Sequence, residues 1–176
     1  MSITPYKQTL SHSCLAACFL MLQDKKFTEE DEEQMALRGS KRKYPFYVSG
    51  ITMESVKSFD KKVEIYVDNK YFGAALSNSF KEESRIKVIP EKITQTLIEQ
   101  LILKSPIICH IDIHAFGDYS HASHFIVIEK KIGNFFTIID PWDGVRKRVA
   151  SNTLIEAISD LKNQIKMCPL LFTLPK

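Results

Sequence analysis

The chain carries a thiol, an imidazole and a carboxylate in an order that suits nucleophilic acyl transfer. Cys14 lies near the start, His124 and Asp140 lie in the second half, and Gln8 stands six residues ahead of the thiol. Gln8-Thr9-Leu10-Ser11-His12-Ser13-Cys14 runs directly into Leu15-Ala16-Ala17-Cys18-Phe19-Leu20-Met21-Leu22, an apolar segment that reads as a helix. Ser13 suits the capping position, which puts Cys14 in the first turn. There the partial positive charge of the helix end favours thiolate over thiol. His124-Phe125-Ile126-Val127-Ile128 and Phe135-Phe136-Thr137-Ile138-Ile139-Asp140-Pro141 are strand-like runs joined by Lys131-Ile132-Gly133-Asn134. In a hairpin the start of one strand lies beside the end of the next, so His124 and Asp140 are expected as neighbours. Nucleophile, base and orienting carboxylate are then all present, and their order suggests a cysteine hydrolase.

Taken singly, each residue has an ordinary explanation. A free cysteine on a helix is commonly packing, a histidine at a strand start is commonly structural, and Asp-Pro after a strand is a common turn. The joint pattern carries the reading. His12 and His121 compete with His124 as the base, but His12 is too local to Cys14 to aim well and His121 lacks the β-branched strand that follows His124. Metal binding is a rival: His110, Asp112 and His114 alternate and would share one side of a strand, which with an open position would suit a catalytic zinc. Against it, His110 lies between the apolar Cys109 and Ile111, as a satisfied core histidine would, and no tight cysteine pair completes a structural site. No metal and no cofactor is expected.

The elements that must position these groups alternate as an α+β domain. A first helix spans about Ser13 to Asp24, and Thr28 followed by Glu29-Glu30-Asp31-Glu32 opens a second that Gly39-Ser40 stops. Tyr44 to Gly50 reads as an aromatic-rich loop, with Thr52 capping a short helix to Phe59. Val63–Val67 alternates as a strand, Asn69–Phe80 is ambiguous because Gly73 weakens a helix, and Ile86–Ile89 is a short strand. An amphipathic helix over Pro90–Lys104, a strand over Ile107–Ile113 and the loop Ala115–Ala122 lead into the hairpin. A strand at Val145–Val149, a helix at Ser151–Lys162 and a closing strand at Met167–Leu174 complete the chain. The loops Ala115-Phe116-Gly117-Asp118-Tyr119-Ser120 and Tyr44–Val48 offer aromatics that could flank a groove for an extended peptide.

At 176 residues the chain is expected to be one domain, 1–176, and its 44% apolar and 26% charged residues are ordinary globular values. A net charge of +3 is too mild to argue for nucleic acid, and Lys41-Arg42-Lys43 and Arg146-Lys147-Arg148 read as solvated turns. The glycines form no phosphate-cradling motif. No apolar run reaches the roughly 20 residues that span a bilayer. The run after Cys14 leads into an acidic helix with no small-residue cleavage site, so it is a poor signal peptide. Cys14, Cys18, Cys109 and Cys168 are scattered and are expected as reduced thiols in a cytoplasmic protein, with Cys18 packing inward or acting as a redox partner and Cys109 and Cys168 in apolar strands.

The motifs resemble those of the papain-like cysteine peptidases, and most closely the bacteriocin-processing (double-glycine leader) peptidase-like family. That family carries a Gln, a Cys six residues later opening an apolar helix, then His before an aromatic and a β-branched run, and a second strand ending in Asp-Pro. This chain shows Gln8, Cys14, His124-Phe125-Ile126-Val127 and Asp140-Pro141-Trp142-Asp143-Gly144 in that order. The resemblance implies a papain-like fold, with N-terminal helices carrying the Cys and a C-terminal, mainly antiparallel sheet carrying His and Asp. It also implies cleavage of peptide or isopeptide bonds in a peptide or protein substrate. Gln8 would supply its side-chain amide to the oxyanion beside the backbone N–H of Cys14. Deamidation and acyl transfer use the same triad on related folds, and a silent peptide- or partner-binding member would keep the fold alone. Where the family usually has Asp-Cys-Gly at the nucleophile, this chain has Ser13-Cys14-Leu15, and the bulkier leucine beside the cleft bears on the substrate class. Without the exporters' attached membrane and ATPase domains, leader removal coupled to export is not expected.

Overall fold

Eight consecutive residues, Cys14–Met21, form helix α1, and every one of them is buried. A helix apolar on all sides has to be covered on all sides. Here α1 packs on strands of the sheet and on helices α2 (Glu29–Gly39) and α3 (Tyr47–Phe59). The architecture, seen in a computed structural model that describes residues 3–23, 26–41, 46–117 and 119–175, is α+β. The remaining described elements are β1 (Val63–Val67), α4 (Lys70–Ser79), β2 (Ile86–Pro90), α5 (Gln95–Ile102), β3 (Ile107–Asp112), β4 (Ser123–Ile132), β5 (Phe135–Asp140), β6 (Val145–Ala150), α6 (Ser151–Asn163) and β7 (Leu170–Thr173), with a 3-10 turn at Ile113–Phe116.

The seven strands form one sheet in the order β2-β1-β7-β3-β4-β5-β6. Every neighbouring pair is antiparallel except β1 and β2, which are parallel because α4 crosses over between them. Side-chain alternation divides the core in two. Ile65, Ile108, Phe125, Val127 and Phe172 pack with α1 and α3, while Cys109, Ile111, Ile126, Ile128 and Ile138 pack with α5 and α6. Helices α2 and α3 cross in close contact, since a Cβ on Gly50 would fall 1.8 Å from the carbonyl oxygen of Gly39.

Local chemistry explains where the elements begin, and where expectation needs correcting. Thr28 and Asp31 form a reciprocal capping box at α2, as the acidic run suggested. Asn69 accepts hydrogen bonds from the Tyr71 and Phe72 N–H groups, so the ambiguous segment is a helix, with Gly73 lying against Val67 and Pro90. Helix α3 starts at Tyr47, five residues before Thr52, whose hydroxyl donates to the Val48 carbonyl inside the helix instead of capping it. Helix α5 is shorter than expected because β2 runs through Pro90 and Thr94 caps the helix. Cys168 precedes β7 and is half-buried rather than in a strand. Arg146, Lys147 and Arg148 lie on β6, not in a turn. Asp24, Arg42, Lys43, Tyr44, Pro45 and Asp118, which figured in the expected helix end, basic triplet and aromatic loops, lie outside the described residues.

Candidate active site

The hairpin brings His124 and Asp140 together through a register shift that periodicity alone does not reveal. From the turn, Ile132 pairs with Phe135 and Lys130 with Thr137; after a bulge at Glu129, Ile128 pairs with Ile138 and Val127 with Ile139. One extra residue in a strand reverses the phase of its alternation. Continued by one residue, the shifted register sets Asp140 across from Ile126, two residues along β4 from His124. His124 Nε2 then donates to Asp140 Oδ1 at 2.8 Å, with both residues buried. Cys14 also acts on this imidazole, raising its pKa through hydrogen bonding and charge.

The electrostatics follow from these contacts. Burial works to lower the His124 pKa but is outweighed by the hydrogen bonds and charges of Asp140 and Cys14, which push it up to about 9. Burial likewise works to raise Asp140, yet His124, Lys147 and the Trp142 N–H hold it down at about 2. Both Asp140 oxygens are committed: Oδ1 to His124 and to the Trp142 N–H at 2.9 Å, Oδ2 to Lys147 Nζ at 2.8 Å. Lys147 also reaches Asp143 at 2.6 Å. The imidazole is thus held in one orientation and stays protonated through neutral pH.

Cys14 opens α1 as expected, but Ser13 does not cap it with its side chain. The Ser13 hydroxyl instead lies within hydrogen-bond distance of the Glu32 carboxylate and, at 2.8 Å, of the Leu10 carbonyl, and its oxygen accepts from no helix N–H. Gln8 is buried, and its side-chain N–H donates to the Leu10 carbonyl at 2.6 Å. Because a carbonyl only accepts, the amide orientation is fixed, with a second N–H still to give. Among the described residues Gln8 Oε1 is buried without a partner. The Gln8 backbone N–H donates to the Pro141 carbonyl at 2.7 Å, joining this segment to the turn after Asp140.

The rival residues are engaged elsewhere. His110 is a satisfied core histidine: Nδ1 donates to the Cys168 carbonyl at 3.2 Å, Nε2 pairs with the Ser123 hydroxyl at 2.7 Å, and the ring stacks on Phe125. Burial drives its pKa down to about 3, against the Cys168 contact and helped by the charge on His124. His121 Nδ1 pairs with the buried Asp112 at 2.6 Å, and His114 Nδ1 donates to the Tyr119 carbonyl at 2.6 Å. Among the described residues no group of three or more His, Cys, Asp or Glu side chains is placed to hold a metal ion. The His12 carbonyl accepts from the Tyr47 hydroxyl at 2.5 Å. All four cysteines are free, and burial raises the Cys18 and Cys109 thiols far above their ordinary range, which removes Cys18 as a ready redox partner.

Two residues of the site were missed in the sequence, Lys147 and Glu32. Lys147 gives no local signal within a run of basic residues. Glu32 does, since Glu32, Met35, Ala36 and Gly39 are the buried residues of α2 and fall at i, i+3, i+4 and i+7. A carboxylate on that stripe is buried and must be bonded. Neither a family model nor a curated protein matches the chain. Among the described residues no helix is long and apolar enough to cross a membrane.

Proposed function

We propose that this chain is a papain-like cysteine hydrolase that cleaves peptide or isopeptide bonds in a peptide or protein substrate, acting in the cytoplasm, where its thiols stay reduced. The observation that carries the reading is the buried imidazole of His124 bonded to the buried Asp140 carboxylate, with the Cys14 thiol near enough to help raise its pKa. Cys14 sulfur adds to the substrate carbonyl, and the displaced electron pair collects on the oxygen, which accepts hydrogen bonds from the Cys14 N–H and the second Gln8 amide N–H. His124 then gives its proton to the leaving amine, and the thioester remains on Cys14. Water, deprotonated by His124, releases the acid and restores the thiol. With an amine in place of water the same triad performs acyl transfer, and with a side-chain amide as substrate it performs deamidation.

A catalytically silent module that binds peptides or a partner on the same fold is the second reading. The turn of the Gln8 amide toward Leu10 and the burial of Cys14 favour it. The two separate on the pH dependence of iodoacetamide labelling, followed by intact mass. Rapid labelling of one site at pH 6, absent in Cys14→Ala and at least about tenfold slower in His124→Ala, is expected of the hydrolase. Labelling that waits for the ordinary thiol range near about 8.5 leaves the binding module.

A further inference from the structure

We propose that Glu32 is the positioning residue of the oxyanion site: one buried carboxylate ties Thr9, which follows Gln8, to Ser13, which precedes Cys14. The inference rests on Cys14 being an acyl-transfer nucleophile, and it assigns a task to a carboxylate that the reaction itself leaves unused. Glu32 is fully buried on α2, and each contact it makes to the N-terminal segment is one in which it accepts. Tyr6 donates its hydroxyl at 2.6 Å, the Thr9 N–H reaches both carboxylate oxygens at 3.1 Å, and the Thr9 hydroxyl lies at 3.1 Å. The Ser13 hydroxyl closes the set on Oε1.

The two donors that would meet an oxyanion are the Gln8 side-chain amide and the Cys14 backbone N–H. They belong to opposite ends of the 8–14 loop, and their separation is set by the loop between them. That loop is drawn shut at Leu10, whose carbonyl receives the Gln8 amide and the Ser13 N–H, and it is pinned to α2 at Thr9 and Ser13 by Glu32. Donors stabilise a developing charge only when held in place beforehand, so a carboxylate that spans both ends acts on the transition state without touching it. The Tyr6 ring, whose hydroxyl bonds Glu32, packs edge-on against Phe27 with centroids 4.8 Å apart.

Two reactions of the same sulfur separate positioning from general damage. Alkylation by iodoacetamide displaces iodide at a saturated carbon and develops no oxyanion. Acylation by p-nitrophenyl acetate adds sulfur to a carbonyl, passes through an oxyanion, and expels p-nitrophenolate with the electron pair of the broken C–O bond. Glu32→Gln leaves Cys14, His124 and Asp140 in place and puts no new negative charge beside the sulfur. It also sets an amide N–H against the donors of Thr9. Alkylation at pH 6 is therefore expected to hold or rise, while acylation falls by at least about tenfold, short of the hundred- to thousand-fold typical of deleting a donor. Ser13→Ala frees only the Cys14 end, is expected to act in the same direction with a smaller loss, and keeps the test open if Glu32→Gln does not fold. Equal acylation in the variants and wild type, or a parallel loss of both reactions, overturns the proposal. Rapid wild-type alkylation with no acylation beyond that of a simple thiol such as N-acetylcysteine also overturns it, whereas slow wild-type alkylation sinks the hydrolase reading itself.

Discussion

Lys147 decides how tightly Asp140 can serve His124. A buried carboxylate with one strong partner can rotate, but with His124 on Oδ1 and Lys147 on Oδ2 it has a fixed face for the imidazole. Hydrogen bonds to charged groups contribute about 1.5–3 kcal/mol, and the partial exposure of Lys147 places it at the low end. One pKa unit is about 1.4 kcal/mol. Lys147→Met is therefore expected to let Asp140 protonate about one unit higher than its present value of about 2, so that the imidazolium loses its counter-charge earlier on acidification. The acid limb of Cys14 alkylation then moves upward by a similar amount, and Lys147→Arg restores most of it. Superimposable profiles for Lys147→Met and wild type would reduce the contact to an ion pair with Asp143. At this scale the sequence showed what chain order can show. Gln8, Cys14, His124 and Asp140 announce themselves by type and spacing, whereas Lys147 acquires its meaning only when β6 aligns it with Ile138, two residues before Asp140.

Among the elements, the turn 140–144 links the hairpin to the N-terminal segment, and Gly144 makes the link possible. Its φ of +70° lies in the left-handed region, its N–H donates to the Asp140 carbonyl at 2.9 Å, and a Cβ there would meet the Lys7 backbone nitrogen at 2.8 Å. Gly144→Ala is expected to cost about 1–3 kcal/mol from the backbone conformation alone. It also pushes residues 7 and 8 off the turn and stretches the bond between the Gln8 N–H and the Pro141 carbonyl. Denaturant unfolding reads the first effect, and p-nitrophenyl acetate acylation, falling more than iodoacetamide alkylation, reads the second. A variant as stable and as fast as wild type would show the approach to be incidental. Strands and helices of this chain were legible because their periods are local: β1, β5 and α6 fall close to where alternation and amphipathicity set them, while β4 runs on through Lys131 and Ile132, expected in the turn. The bulge at Glu129 was not, because nothing in a run of Ile, Val and Lys marks which residue is left unpaired. Helix α3 was misplaced for a related reason, as aromatic residues that suggest a loop in isolation are drawn into a helix by packing against α1 and α2.

For the whole molecule, two buried histidines with opposite shifts set the pH range in which the fold is most stable. His110 has no counter-charge and stays neutral down to about 3, while an unfolded chain protonates it near 6.5. Between those values the unfolded state binds the extra proton, so stability present above pH 6.5 is lost as pH falls toward 3. His124 behaves in the opposite sense. Its proton is held to about 9 by Asp140 and Cys14, so stability present below pH 6.5 is lost as pH rises through 9. Asp140, held at about 2, adds a further loss only at more acidic pH, from its ordinary 3.8 downward. The expected curve of Tm against pH therefore peaks near pH 6.5 and falls on both sides, by several degrees for each few kcal/mol in a chain of this size. Each limb is dominated by one residue. His124→Gln should remove the descent between pH 6.5 and 9 and also soften the acid side, because its charge helps keep His110 neutral and Asp140 ionised, whereas His110→Gln, which can still bond to the Cys168 carbonyl and the Ser123 hydroxyl, should flatten only the rise between pH 3 and 6.5. Circular dichroism melts from pH 3 to 10 on the three proteins decide it. A wild-type curve without a basic descent, or one that survives in His124→Gln, would mean that the imidazolium is not held by the thiol and carboxylate, and the cysteine-hydrolase reading would lose its electrostatic footing along with it.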